Sequence, residues 1–242
     1  MTPIKTQTIN FPLNAQTIPG YLAQPDDAAK HPALVVIQEW WGLVPHIKEV
    51  AERLAREGFI ALAPDLYHGQ VAAEPDDARK LAMALDRTRA VNEILAAAAY
   101  LKSLDATAPK KIGIVGWCMG GGLALSTAAQ GDPSSFDSRS GSSGQAIGAV
   151  VAFYGRPLDA NDTAKLRAPV LGLYAEHDHG IPVDAAHAFE AELQKHGIPH
   201  EVHVYPGVEH AFFNETRPHI YNRAAAEDAW QKTLAWFRQY LV

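Results

Sequence analysis

An apolar run, Ile112–Val115, leads into Gly116-Trp117-Cys118-Met119-Gly120, and Gly121 and Gly122 follow. This is the nucleophile-elbow pattern G-x-S-x-G with cysteine where serine usually stands. The glycines have a steric reason. In a sharp strand-to-helix turn, side chains two positions before and after the nucleophile would strike neighbouring backbone. The turn also supplies chemistry. A thiolate at a helix N-terminus meets the positive end of the helix dipole. The backbone N–H of Met119 points to where an oxyanion would develop. A free cysteine is often only a buried, inert side chain. A strand, a G-x-C-x-G and a following helix together are hard to explain as packing.

A nucleophile at an elbow needs a base, and the base needs a group to orient it. The expected chain order is nucleophile, acid, histidine. The run Pro169–Tyr174 reads as a strand and ends in Ala175-Glu176-His177-Asp178-His179-Gly180-Ile181-Pro182. Asp178, just past the strand end, is the preferred acid. Glu176 competes with it, and capping the next helix is the bland role for Asp178. Of the eleven histidines, His210 has the required position, in the loop Pro206–Phe212 after the last strand. His203 lies inside that strand, and His219 falls beyond the site. His210 would take the thiol proton or stabilise the thiolate as imidazolium, while Asp178 fixes its tautomer. An acyl-thioester would form and water would hydrolyse it. Glu39, in Gln38-Glu39-Trp40-Trp41-Gly42, stands between a buried strand and an aromatic pair. A solvated loop glutamate is an equally good reading of the residues alone.

These side chains must be positioned by an alternating framework. Gln7–Phe11 and Pro19–Ala23 read as a hairpin. Leu34–Gln38, Phe59–Ala63, Lys111–Val115, Ile147–Phe153, Pro169–Tyr174 and Glu201–Tyr205 read as strands. The spacing predicts helices over Pro45–Glu57, Gly120–Ala129, Pro182–His196 and Ala225–Leu241, and one or two helices over Asp76–Leu104. Within the last helix Trp230, Leu234, Phe237 and Leu241 should be buried. Gly131–Gly144, rich in Ser and Gly, reads as a mobile surface loop. The class is α/β: a mainly parallel central sheet with helices on both faces, and function at the carboxyl ends of the strands.

The chain has 242 residues, 48% of them hydrophobic, which suffices for one domain spanning 1–242. A net charge of −6 argues against nucleic acid or an anionic membrane as partner. No apolar run is long enough to span a membrane, and the N-terminus lacks the apolar core of a signal peptide. With one cysteine no internal disulfide is possible, and these features together favour the cytoplasm.

QEWWG, GWCMGGG, AEHDHGIP and VEHAFF, in that order over nearly the whole chain, resemble the dienelactone hydrolase (carboxymethylenebutenolidase) family. The resemblance implies the α/β-hydrolase fold and a Cys-Asp-His triad at Cys118, Asp178 and His210. It implies that Glu39 pairs with the resting thiol and helps generate the thiolate when substrate binds. It also adds the backbone N–H of Trp40 as a second oxyanion donor beside Met119. The substrate would be a small-molecule ester or lactone, with no cofactor and no metal, and the protein a monomer or homodimer. Family members bind a substrate carboxylate through two arginines. Here one of those positions is Asn214 and the other falls at Pro75 or a neighbour that is not arginine. Arg79 and Arg217 are the candidate replacements, and Trp40 and Trp41 would wall the site.

Three rival readings stand beside this one. His177, Asp178, His179 and His187 could ligate a metal, although consecutive strand-end residues point in different directions. The chain could be a non-catalytic binding protein of the same fold. A redox sensor would need a resolving cysteine that the chain lacks.

Overall fold

The N-terminal hairpin pairs β1 (Ile4–Leu13) with β2 (Gln16–Pro25) in antiparallel register, Phe11 opposite Ile18, with Asn14 in the left-handed region at the turn. In this computed structural model, which describes residues 2–130 and 147–242, β2 then joins the main sheet through β4. The expected loop Gly131–Gly144 lies outside the described residues.

The other strands are β3 (His31–Ile37), β4 (Ile60–Pro64), β5 (Thr107–Trp117), β6 (Ile147–Phe153), β7 (Val170–His177) and β8 (His200–Glu209). The sheet order is β1-β2-β4-β3-β5-β6-β7-β8, and every pair from β4 onward is parallel. Strands buried on both faces read as continuous apolar runs, which is why Ala33–Ile37 lacks polar alternation. Within β3, Ala33, Val35 and Ile37 pack into one core while Leu34 and Val36 pack into the other.

Helices α1 (Pro45–Arg56) and α7 (Arg223–Leu241) cover one face of the sheet, with Ile47, Val50, Leu54, Trp230, Leu234, Phe237 and Leu241 inward. The opposite face is covered by α3 (Arg87–Ser103), α4 (Met119–Gln130) and α6 (Val183–Lys195). Pro45 opens α1, where its missing N–H costs nothing. The stretch Asp76–Leu104 is two helices, α2 (Pro75–Ala84) and α3. They separate at Leu85–Asp86 because the Asp86 carboxylate accepts the Arg89 N–H at 3.1 Å and caps α3. The one-turn helix α5 (Ala160–Thr163) was not anticipated. It is capped by Asp159, which accepts the Asp162 N–H at 2.8 Å.

β3, β5 and β6 end level with one another, Ile37 beside Gly116 and Trp117 beside Phe153. That alignment brings the loop after β3, the turn after β5 and the loop after β6 to one place.

Candidate active site

Cys118 sits between β5 and α4 with φ +55°, a left-handed conformation that non-glycine residues rarely adopt. Its N–H donates to the Phe153 carbonyl at 3.0 Å, and its carbonyl accepts from Gly121 and Gly122. The bend tolerates no side chain on either flank. A Cβ on Gly116 would lie 2.1 Å from the Gly120 carbonyl oxygen, and one on Gly120 would lie 2.4 Å from that of Gln38. Met119 occupies the first helical position, whose N–H has no acceptor within the helix.

His210 follows directly on β8. Its Nδ1 is 2.6 Å from Asp178 Oδ2, and Cys118 lies near enough for its charge to act on the ring. Burial alone would depress the imidazole. The hydrogen bond to Asp178 and the charges of Asp178 and Cys118 outweigh it and push the ring up to about 10. Asp178 shows the opposite balance. Burial would raise its carboxyl, but His210 and the N–H groups of Gly180 and Ile181, at 2.8 and 3.0 Å, hold it below the usual range. Glu176, the competing carboxylate, instead accepts the Gly207 N–H at 2.8 Å. His177 and His179 are exposed, and both Asp178 oxygens are already engaged.

Glu39 is buried at 1% exposure. Its Oε2 accepts from Asn214 Nδ2 at 2.7 Å, and its Oε1 from the Tyr154 hydroxyl at 3.5 Å. Burial raises its carboxyl; Asn214, the charges of His210 and Arg217, and Tyr154 pull it partway back. Both oxygens of Glu39 therefore have a hydrogen-bond partner among the described residues. Asn214 is itself fixed, because its Oδ1 accepts from Thr216 N–H at 3.1 Å and from Thr216 Oγ1 at 2.6 Å.

A cavity of about 400 Å³ opens beside this cluster, walled by Trp41, Val44, Pro45, His46, Ala72, Ala73, Asn214, Thr216 and Arg217. The Arg217 guanidinium lies 5.8 Å from the Trp41 ring centre. Arg79 is not on this wall. It lies on the exposed face of α2, bonded to Asp76 at 2.8 Å. Trp40 and Trp41 meet edge to face, ring centres 5.2 Å apart.

Two tyrosines at the site went unnoticed in the sequence. Tyr154 is fully buried at φ +36°, its ring 4.9 Å from that of His210. Burial, with Glu39 and Cys118 nearby, raises its phenol. Its place at the carboxyl end of β6 was the available signal. Tyr67, just past β4, donates to the Trp40 carbonyl at 3.2 Å and to Met119 Sδ at 3.5 Å. Burial and the Cys118 charge push it up to about 12.

A mostly parallel sheet with its elbow after β5, an acid after β7 and a histidine after β8 defines an α/β-hydrolase fold. Among the described residues no helix is long and apolar enough to cross a membrane. The chain belongs to the dienelactone hydrolase family, which it matches over residues 18–241. It is 38% identical to "Protein usf" of Aquifex pyrophilus, over 98% of this chain and 99% of that one. It is 36% identical to a protein of Aquifex aeolicus (strain VF5) named "Putative carboxymethylenebutenolidase", over 97% and 99%. A crystal structure described as "Putative Dienelactone Hydrolase", from Klebsiella pneumoniae subsp. pneumoniae MGH 78578, superposes with a TM-score of 0.83 at 29% identity, covering 98% of this chain and 100% of that one. The protein is therefore a dienelactone hydrolase-like hydrolase.

Proposed function

We propose that the protein cleaves small esters or lactones by nucleophilic catalysis, with Cys118 as nucleophile, His210 as proton carrier and Asp178 as the residue that orients it. The observation that supports this reading is the placement of Cys118, Asp178 and His210 at the carboxyl ends of strands of one sheet, with His210 bonded to Asp178. The thiol is held at a strained elbow, and the imidazole is 2.6 Å from a buried carboxylate.

The thiol proton passes to His210 Nε2, giving a thiolate and an imidazolium held by Asp178. The thiolate attacks the carbonyl carbon, and the resulting oxyanion is met by the N–H groups of Met119 and Trp40. As the tetrahedral species collapses, His210 returns its proton to the leaving oxygen, and a thioester on Cys118 remains. The neutral imidazole then draws a proton from water, which attacks the thioester and releases the acid. Glu39, beside the thiol but bonded to Asn214 and Tyr154, tunes the charge around it. Trp41, Arg217, Asn214 and the rest of the cavity wall receive the body of the substrate. A reduced thiol is required throughout, which a cytoplasmic location supplies.

Hydrolysis of p-nitrophenyl acetate by the wild type and by Cys118→Ala tests the reading. Turnover by the wild type, its loss in the variant and a mass increase of one acetyl group on Cys118 in a quenched reaction are expected. Undiminished hydrolysis by Cys118→Ala removes the cysteine from the mechanism.

A further inference from the structure

The loop after β4 is built to face the loop after β3. Asp65 accepts the N–H groups of Tyr67 and Gly69 at 3.1 and 2.7 Å, which folds residues 65–69 into a tight turn. Gln38 Oε1 takes the Leu66 N–H at 3.3 Å. His68, in the left-handed region, is tied at 2.9 Å to Glu93 on α3. Farther along, the Ala72 N–H donates to the Trp41 carbonyl at 2.9 Å. A Cβ on Gly42 would lie 2.6 Å from the Gln70 carbonyl oxygen, so the two loops pack backbone to backbone.

At the centre of this contact stands one phenol. The Tyr67 hydroxyl donates to the Trp40 carbonyl oxygen and also reaches the sulfur of Met119. Trp40 and Met119 are the two residues whose backbone N–H groups would hold the oxyanion. They belong to different elements, the loop after β3 and the first turn of α4, and Tyr67 touches both.

We infer that Tyr67 is a positioning residue that sets the oxyanion site by holding the Trp40 peptide and the Met119 side chain in fixed register. With the carbonyls of Trp40 and Trp41 claimed by Tyr67 and Ala72, the backbone 40–41 cannot rotate without breaking two hydrogen bonds. The Trp40 N–H, on the other side of the same α-carbon, can then turn only about the Trp40 φ bond. Preorganised donors matter because they need not reorganise as charge develops, and a donor slightly out of line loses much of its effect. The inference rests on the ester-hydrolase reading above, since without an oxyanion there is nothing for these N–H groups to hold.

Tyr67→Phe removes the hydroxyl and keeps the ring packed in place. Two reactions of the same sulfur then separate oxyanion geometry from thiol reactivity. Hydrolysis of p-nitrophenyl acetate passes through an oxyanion, whereas alkylation by iodoacetamide displaces iodide at a saturated carbon and forms none. In Tyr67→Phe we expect kcat to fall by about tenfold or more with KM little changed. The alkylation rate constant and its pH profile should stay at wild-type values. A kcat within about twofold of wild type, a change confined to KM, or a parallel loss of alkylation rate overturns the inference. If the wild type hydrolyses no ester, or Cys118→Ala hydrolyses it as well, the ester-hydrolase reading falls instead. The two failures are thus told apart in one set of measurements.

Discussion

Asn214 Nδ2 donates to Glu39 Oε2 at 2.7 Å across 175 positions of chain, and both side chains are buried. Thr216 occupies the amide oxygen of Asn214, so its NH₂ group is committed to Glu39. An amide donor favours the ionised form of a carboxyl that burial otherwise drives toward neutrality. Asn214→Ala should therefore raise the Glu39 pKa further and move the acid limb of the kcat/KM profile to higher pH. It should also cost about 1–3 kcal/mol in urea unfolding, because a buried oxygen loses its partner. An acid limb that stays in place would show that Glu39 does not govern the thiol.

His210→Ala removes both the proton acceptor and the proton donor of the proposed cycle. The expected loss is about 10²–10⁴-fold in kcat for p-nitrophenyl acetate. The thermal midpoint should also fall at neutral pH, because the Asp178 carboxylate, 2% exposed, loses its charged partner. Turnover near the wild-type rate would exclude this histidine from the chemistry.

The ion pair between His210 and Asp178 makes stability depend on pH from both sides. Folding raises the imidazole from 6.5 to about 10, so its contribution is complete below about pH 6.5 and is lost as pH climbs to 10. Folding lowers the Asp178 carboxyl beneath 3.8, so its contribution is present above that pH and is lost on acidification. Asp178→Asn should flatten the fall in thermal midpoint between pH 6.5 and 10. It should also let the ring titrate closer to its ordinary value in NMR. A midpoint curve parallel to wild type across that range would contradict the coupling.

The parts of this site written in local spacing were legible in the sequence. The elbow was visible because steric demands at Gly116 and Gly120 leave a fixed G-x-C-x-G signature. Asp178 and His210 were visible because strand ends can be counted. The sheet was visible because runs such as Ala33–Ile37 are apolar on both faces. Contacts between distant side chains leave no such trace. Nothing in Glu39 or its neighbours announces that Asn214 will meet it. Tyr154 and Tyr67 carry no local spacing that marks them as site residues. Only the sheet register, which aligns the ends of β4, β3, β5 and β6, brings the two tyrosines toward the elbow.

Arg217 bears on what the cavity accepts. The Asn214 amide is already spent on Glu39. Arg79 is paired with Asp76 outside the cavity. Arg217 remains on the wall, over Trp41, beside otherwise largely apolar side chains. One guanidinium in such surroundings favours a substrate with a single carboxylate and a flat apolar body. A charged hydrogen bond there is worth about 1.5–3 kcal/mol. Arg217→Ala should therefore lower kcat/KM for a carboxylate-bearing ester or lactone by about tenfold or more, while p-nitrophenyl acetate stays within about threefold of wild type. Equal losses for the two substrates would mean that Arg217 supports the fold of the loop instead. No loss for either would mean that the cavity takes neutral substrates without help from this side chain.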